Sequence, residues 1–476
     1  MTGSAPSRAG TRFAGLHSAA LQLLILLLVV PAPRASRAFD PGAQASLSTY
    51  VRLPERTAAH VRLHVEAFVV VRPDGRVRVD PVRSTLDTDR DAGRSLEWMR
   101  TAFEPGPVDT LRVEFAEASV RVGGAWTRVD LSGETADFVL ERELDAGECL
   151  VVHLAFDPDA VPADAEAWHP VLRRRHPDRV PLGQRIFVAL EGAGTVAVVD
   201  RRTGETTEEL GVGGRPRDLV YSPVERRLYV AVAERDELVA VDLGDVDRIR
   251  RLPLRFGDDP SRLLLSRDER SVFAIAGGHD ALVQVSASSF QEIARINLEP
   301  RPVDLVEDPR TGRIFVSSET SRTIEVVDAQ KASVVARFVV SDSPGELEFL
   351  ADTGQIVVAA RNGRSVERID AGTGALIDAV DVCGPVRGMI YQERTKRLYA
   401  ALAVCDELTV LRPSLDLEID RVPLPARPGL LHLDPEGRTV LVPLPGENAL
   451  FTVDTTRTGE TGLILVGPRP VAVVIP

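Results

Sequence analysis

The sequence predicts an all-β chain: a seven-bladed β-propeller closed by its C-terminal strand and preceded by a small β-sandwich. Three observations predict it. A short apolar strand recurs seven times, centred on Phe187, Tyr229, Phe273, Phe315, Val357, Tyr399 and Val440, at spacings of 42, 44, 42, 42, 42 and 41 residues. Each repeat holds about four short β-rich runs separated by Gly, Pro, Asp and Ser turns, the arithmetic of a propeller blade. The first repeat lacks an opening strand, and residues 467–476 match one.

Two further registers keep step with the strand marker. A proline stands 13 residues before it at Pro216, Pro260, Pro302 and Pro344; Val386 takes the next place, and Pro428 and Pro470 continue the series. An acid ends a later strand at Asp200, Asp242, Asp328, Asp370 and Asp454, with Ser286 and Arg412 in the two gaps. Runs such as Leu228-Tyr229-Val230-Ala231 are apolar at every position, as expected of middle strands that pack between neighbours on both faces. If the C-terminal residues supply the strand that the first repeat lacks, the ring closes without a free edge.

On these strands, the proline-led opening strand and the Val-Val-Asp endings at Asp200 and Asp328, residues 183–476 resemble the YVTN-type β-propeller family, related to surface-layer and periplasmic propellers. The Thr-Asn that follows Tyr-Val in that family is replaced by Ala231-Val232. The resemblance implies a propeller with an extracytoplasmic binding or scaffolding role, and no shared catalytic set.

Residues 1–38 read as an export signal. Arg8 and Arg12 form a positive start, Ala19 to Val30 is apolar except for Gln22, and Ser36-Arg37-Ala38 makes a small-x-small cleavage site. The apolar run falls short of the roughly 20 residues a membrane-spanning helix needs. The expected location is secreted or periplasmic, with cleavage after Ala38.

Residues 39–165 are expected to form the sandwich. Its strands are read at His60–Arg72, Arg76–Asp80, Thr110–Phe115, Ser119–Val122, Ala136–Leu140 and Cys149–Phe156, with one brief helix at Leu96–Phe103. The stretch from Val108 to Phe156 resembles an uncharacterised β-domain of bacterial secreted proteins, which implies no function. Residues 166–182, with Arg173-Arg174-Arg175, read as a solvated interdomain linker.

Composition removes several functions. Of 57 basic residues only Lys331 and Lys396 are lysines, and the chain beyond residue 38 keeps 53 basic against 70 acidic residues, a net charge of -17. So acidic a surface argues against general nucleic-acid binding, which draws affinity from phosphate neutralisation. Cys-x-x-Cys-His, Gly-x-Ser-x-Gly and phosphate-loop motifs are absent from the sequence. No cofactor and no metal site is expected; His60 and His64 share a strand face without a cysteine or carboxylate partner in the pattern. Cys149 is read as a buried free thiol. Cys383, in the loop entering its blade, and Cys405, between that blade's second and third strands, share one face, and a disulfide between them is expected of an exported chain.

The same face carries the one remaining signal. Arg215, Arg301, Arg427 and Arg469 directly precede the marker proline, and Arg217, Arg262 and Arg387 stand within two residues of it. Ring symmetry would gather these at the central channel as a positive funnel, suited to a carboxylate, phosphate or acidic polymer. The alternative is local neutralisation, with Asp218 facing Arg215 and Asp304 facing Arg301. The leading expectation is a monomeric, non-enzymatic exported protein that binds an anionic small molecule, a cell-envelope polymer or a protein partner. The alternative is a lactonase-like hydrolase with Asp218, Asp304 or Glu346 as base and arginines stabilising the oxyanion; His279 is the histidine expected near the channel mouth. The mature protein is expected to begin at Phe39, which mass mapping of the N-terminal peptide of secreted material checks.

Overall fold

The computed structural model describes residues 44–54, 60–122, 124–145, 147–157, 170–176, 180–244, 249–413, 417–457 and 459–476. The expected export signal lies outside them. Phe39–Pro476 forms one compact unit. Among the described residues no helix is long and apolar enough to cross a membrane.

Two sheets precede the repeats. One orders Val171–Arg175, Cys149–Asp157, Ala45–Arg52 and Ser95–Phe103. The other is built on His60–Arg72 and Gly106–Val122, flanked by Gly75–Val79, Thr85–Asp87, Ala125–Asp130 and Thr135–Leu144. Both feed one core, where Phe68 meets the buried Trp98 edge-on with ring centroids 5.4 Å apart. Three local expectations are corrected. The helix expected at Leu96–Phe103 is a strand, because its backbone completes the ladder of the buried strand Ala45–Arg52, and ladder pairing outweighs local propensity. The two strands read between Thr110 and Val122 are one. Val171–Arg175, inside the stretch read as a linker, pairs antiparallel with Cys149–Asp157.

Residues 185–476 build seven four-stranded antiparallel sheets. In each, the repeated apolar run is the second strand from the centre, with nearly every residue buried, as in Arg227–Val232 and Arg397–Leu402. Pro470–Val474 pairs antiparallel with Arg185–Leu190 and supplies the strand that the first sheet lacks. Apolar side chains from facing sheets interlock in pairs: Tyr229 and Leu238 with Val272 and Val283, for example. Ile186 and Val188 of the first sheet pack in the same way against Leu441 and Leu450 of the last.

The repeated acid is a turn former. Asp200 Oδ1 accepts the Arg202 N–H at 2.8 Å, Asp242 the Gly244 N–H at 2.9 Å and Asp454 the Thr456 N–H at 2.6 Å. In one gap, Ser286 Oγ accepts the Ser289 N–H at 3.3 Å. A short side-chain acceptor that captures the N–H two or three residues on is what this position requires. Cys383 and Cys405 lie at disulfide-bonding distance, Cα atoms 6.4 Å apart, while Cys149 is free.

The outer strand of the first sheet, Glu205–Gly211, receives the N-terminal sheets through two buried carboxylates. Glu209 accepts from Arg100 (2.6 and 2.8 Å), Tyr50 Oη (2.8 Å) and Thr195 Oγ1 (2.9 Å). Burial opposes its charge, but Arg100 and these donors hold its carboxyl below the ordinary range. Burial and the same carboxylate push the Cys149 thiol up to about 12, so it stays protonated and unreactive. Glu205 binds Arg175 at 2.6 and 2.9 Å. Arg174 donates to the Val139 carbonyl at 2.9 Å. Of the arginine triplet, Arg175 therefore joins the contact with the repeats while Arg174 stays with the N-terminal sheets, because period-two alternation along an edge strand sends the two to opposite sides. Glu209→Ala is expected to cost about 3–5 kcal/mol by leaving Arg100 buried without its main partner; the urea unfolding midpoint measures it.

Candidate functional site

The opening strands of the sheets converge: Pro216–Ser222, Pro260–Leu265, Pro302–Glu307, Pro344–Leu350, Val386–Gln392, His432–Leu433 and Pro470–Val474 each touch the next, and the series returns from the last to the first. Each of the six longer ones carries a register shift just after its first residue. In four the shift skips one residue, at Arg217, Val303, Arg387 and Val471; in two it skips a pair, Ser261-Arg262 and Gly345-Glu346. A bulge breaks the alternation of a strand and turns successive side chains to the same side. Here it directs both residues after the proline position towards the centre.

The bulges also release backbone donors, and the preceding carboxylate takes them. Leu263 N–H donates to Asp218 Oδ2 at 2.9 Å, and Leu347 N–H donates to Asp304 Oδ2 at 2.8 Å. Tyr391 N–H donates to Glu348 Oε1 at 3.2 Å. In each pair the acceptor lies one sheet before the donor, so the carboxylates tie successive opening strands together. A hydrogen bond to a charged group contributes about 1.5–3 kcal/mol, and one to a neutral carboxyl such as protonated Glu348 about 0.5–1.5 kcal/mol. Arg262 pairs with Glu346 and lies 3.5 Å from Asp304.

These side chains line a central cavity of about 220 Å³ with Gly388, Leu430, His432 and Ala472. Burial raises the Asp218 carboxyl to about 6 despite Arg262 and two backbone donors. It raises Glu346 to about 8, reinforced by Asp304 and opposed by Arg262. Glu348, whose hydrogen-bond partner is the Tyr391 N–H, is also raised to about 8 by burial. Burial lowers His432 to about 4, and its Nε2 accepts the Ile475 N–H at 3.2 Å, so the neutral ring carries its proton on Nδ1.

Above the cavity opens a wider basin of about 450 Å³, lined by Arg217, Arg301, Arg361 and Arg387 with Glu319, Glu346 and Asp259. Arg217 and Arg469 each reach Glu191 at 2.9 Å. Arg301 pairs with Glu319 at 3.2 Å, and Arg361 with Glu346 at 3.5 Å. Arg387 is half-buried; burial, then Arg361 and Arg427, push its guanidinium below the ordinary value. Among the described residues no carboxylate comes within ion-pair distance of Arg387, Arg427 or Arg215.

Of the seven arginines singled out in the sequence, Arg217, Arg301 and Arg387 line the basin, and Arg262 lines basin and cavity together. Arg427 reaches the group through Arg387, Arg469 through Glu191, and Arg215 stands exposed outside the lining. The expected neutralisation partners differ: Arg301 meets Glu319, while Asp304 belongs to Arg262. His279 lies beside Asp258 at 3.0 Å, with its side chain half exposed, and the histidine of the channel is His432.

Two sequence signals for the missed residues were present. Glu191, Glu319 and Arg361 all stand four residues after the strand marker. Glu348 and His432 interrupt a position held by Val220, Leu264, Val306, Ile390 and Val474 in the other repeats. A polar residue at an aliphatic position of an inner strand marks the channel.

No family model and no curated protein matches the sequence. Among solved structures the chain is similar to hydrazine synthase of Kuenenia stuttgartiensis, at 20% identity and a TM-score of 0.51, over 58% of this chain and 94% of that one. It is similar to a functionally unknown protein from Desulfotomaculum acetoxidans DSM 771, at 13% identity and a TM-score of 0.52, over 61% of this chain and 98% of that one. Virginiamycin B lyase from Staphylococcus aureus matches at 14% identity and a TM-score of 0.45, over 54% of this chain and 84% of that one. The likeness is one of fold, an all-β propeller-like arrangement of four-stranded sheets.

The acid cluster makes stability depend on pH. Glu346 and Glu348 hold protons up to about 8 in the folded chain, against an ordinary value of 4.5, so folding takes up protons across that interval. Their contribution to stability therefore falls as pH rises from about 4.5 to about 8. Glu348→Gln is expected to flatten that slope, with a melting temperature that declines less between pH 5 and pH 8 than in the parent (pH values spanning roughly the titration window). An unchanged slope would place the proton uptake elsewhere.

Proposed function

We propose that this is an exported, non-enzymatic binding protein, a closed seven-bladed propeller of the YVTN-like kind carrying a β-sandwich, that takes an anionic group at the mouth of its central channel. One observation carries the reading: Arg387 stands half-buried against Arg361 and Arg427 with no carboxylate in ion-pair reach among the described residues. At Arg387 the desolvation and the guanidiniums of Arg361 and Arg427 outweigh the carboxylates of Glu346 and Glu319, and the positive charge left in excess costs free energy that an anion relieves. Guanidinium forks match a carboxylate or phosphate bidentately, and the enclosed basin strengthens the attraction. The ring of interlocked sheets and the borrowed C-terminal strand support the closed propeller, and the Cys383–Cys405 pair is compatible with export.

A lactonase-like hydrolase is the second reading, favoured by the protonated Glu346 and Glu348 beside a neutral histidine. A carboxyl that keeps its proton near neutrality, as Glu346 does, suits a general acid and not the base assigned to it on sequence grounds, whereas Asp218, raised to about 6, is mostly ionised at neutrality and keeps that assignment.

A thermal-shift screen against carboxylates, phosphate and acidic wall polymers separates the readings. An anion should raise the melting temperature in the parent and not in Arg387→Glu, because a ligand bound only by the folded state stabilises it. Lactone turnover abolished by Glu348→Gln would favour the hydrolase. No shift across the panel, with both proteins folded, would sink the anion site.

A further inference from the structure

The basin and the cavity below it form one path, since Arg262, Glu346 and Leu430 line both. Its two ends differ in sign. Arg217, Arg301, Arg361 and Arg387 surround the wide end. Asp218, Asp304, Glu346 and Glu348 surround the narrow end, where Arg262 is the one cation in the described lining. Arg262 is already committed to Glu346 and Asp304, which leaves Glu348 without a cationic partner. The groups facing Glu348 across the cavity are Asp218, Asp304, Glu346, Arg262 and neutral His432.

We infer that the ligand is a zwitterion, an ω-aminocarboxylate whose carboxylate lies on Arg361, Arg387 and Arg427 and whose ammonium group enters the cavity to meet Glu348. This rests on the anion-binding reading above and specifies its ligand class. Spacing favours separated charges. Glu346, already paired with Arg361, sits in the bulge and Glu348 stands two residues beyond it, a Cα separation of up to roughly 7 Å. An α-amino acid holds its two charges much closer than that, whereas a chain of about four to six carbons spans it. A bare anion would fill the basin and leave the acidic end unmatched.

Binding has a proton balance. Glu348 is protonated in the empty site near neutrality, and its ion pair with an ammonium needs the carboxylate. The carboxyl proton therefore leaves to solvent as the ligand enters, and no bond to the ligand forms or breaks. Affinity for the aminocarboxylate should rise with pH through the Glu348 titration, while affinity for the deaminated acid should not follow that titration.

The test is calorimetric titration of the full mature protein with 6-aminohexanoate, 4-aminobutanoate, glycine, hexanoate and butanoate. Near pH 8 one of the two ω-amino acids should bind at least about tenfold more tightly than its deaminated counterpart, and glycine should not share the gain. Titration in two buffers of different ionisation enthalpy should show net release of about one proton per ligand near pH 7. Glu348→Gln, folded at the pH of the titration, should abolish both the gain and the proton release while keeping hexanoate binding; Arg387→Glu should abolish binding of every probe. Should Glu348→Gln fail to fold, the proton count on the parent protein decides alone. Equal binding of the amino acids and the plain acids, without proton release, would overturn the zwitterion and leave the anion site standing. Absence of binding by all five probes would overturn both.

Discussion

A sheet that is apolar on both faces cannot stand alone in water. The four-stranded sheets described in residues 185–476 have this character, and facing sheets cover one another. The second strands show it most plainly: Ile186 and Val188 enter one core and Phe187 and Ala189 another, and Tyr229 and Ala231 part in the same way from Leu228 and Val230. Fixing the sheets face to face also fixes their opening strands side by side. The centre is therefore the place where seven strand beginnings must share a small volume, and the bulges let them do so. Extra residues bend the strands, free their N–H groups and bring charged side chains to positions where regular pleating would place one residue in two.

The charges at the centre follow from that crowding. Asp218 and Asp304 accept backbone donors of the next strand, although burial still raises the Asp218 carboxyl to about 6. Glu346 and Glu348 are enclosed faster than they are neutralised, so burial wins and they keep their protons. At the mouth, Glu191 and Glu319 each absorb nearby arginines, whereas Arg387 faces other guanidiniums. The path is thus polar along its axis, with cations outside and proton-bearing acids within.

Much of this was legible in the sequence because repetition turns weak local signals into a strong one. Strand positions, the borrowed C-terminal strand and the Cys383–Cys405 pairing could all be read by superposing repeats. That arginines gather near the prolines was legible in the repeats, and Arg217, Arg262, Arg301 and Arg387 line the basin. Their partners were not, because ion pairs such as Arg301–Glu319 and Arg217–Glu191 join residues brought together by the ends of different strands. Outside the repeats no such averaging exists. Ser95–Phe103 mixes residues common to helices and strands, and only the tertiary ladder beside Ala45–Arg52 decides between them. Val171–Arg175 shows a polar face because it is an edge, and a single pass along the chain reads such a strand as a loop.

The sheet completed by Pro470–Val474 is the one whose outer strand seats the N-terminal domain. Tyr50 touches both partners in that arrangement, donating to Glu209 and to the carbonyl of Val466. The N-terminal sheets are synthesised early, but their full docking surface exists only after the last residues of the repeats arrive. Pairings between such distant segments are slow to form because loop closure must precede any gain from contact. The chain must therefore spend an interval of folding with its early-made sheets beside an incomplete first repeat sheet, and the pairing of Pro470–Val474 sets the moment at which both become one body.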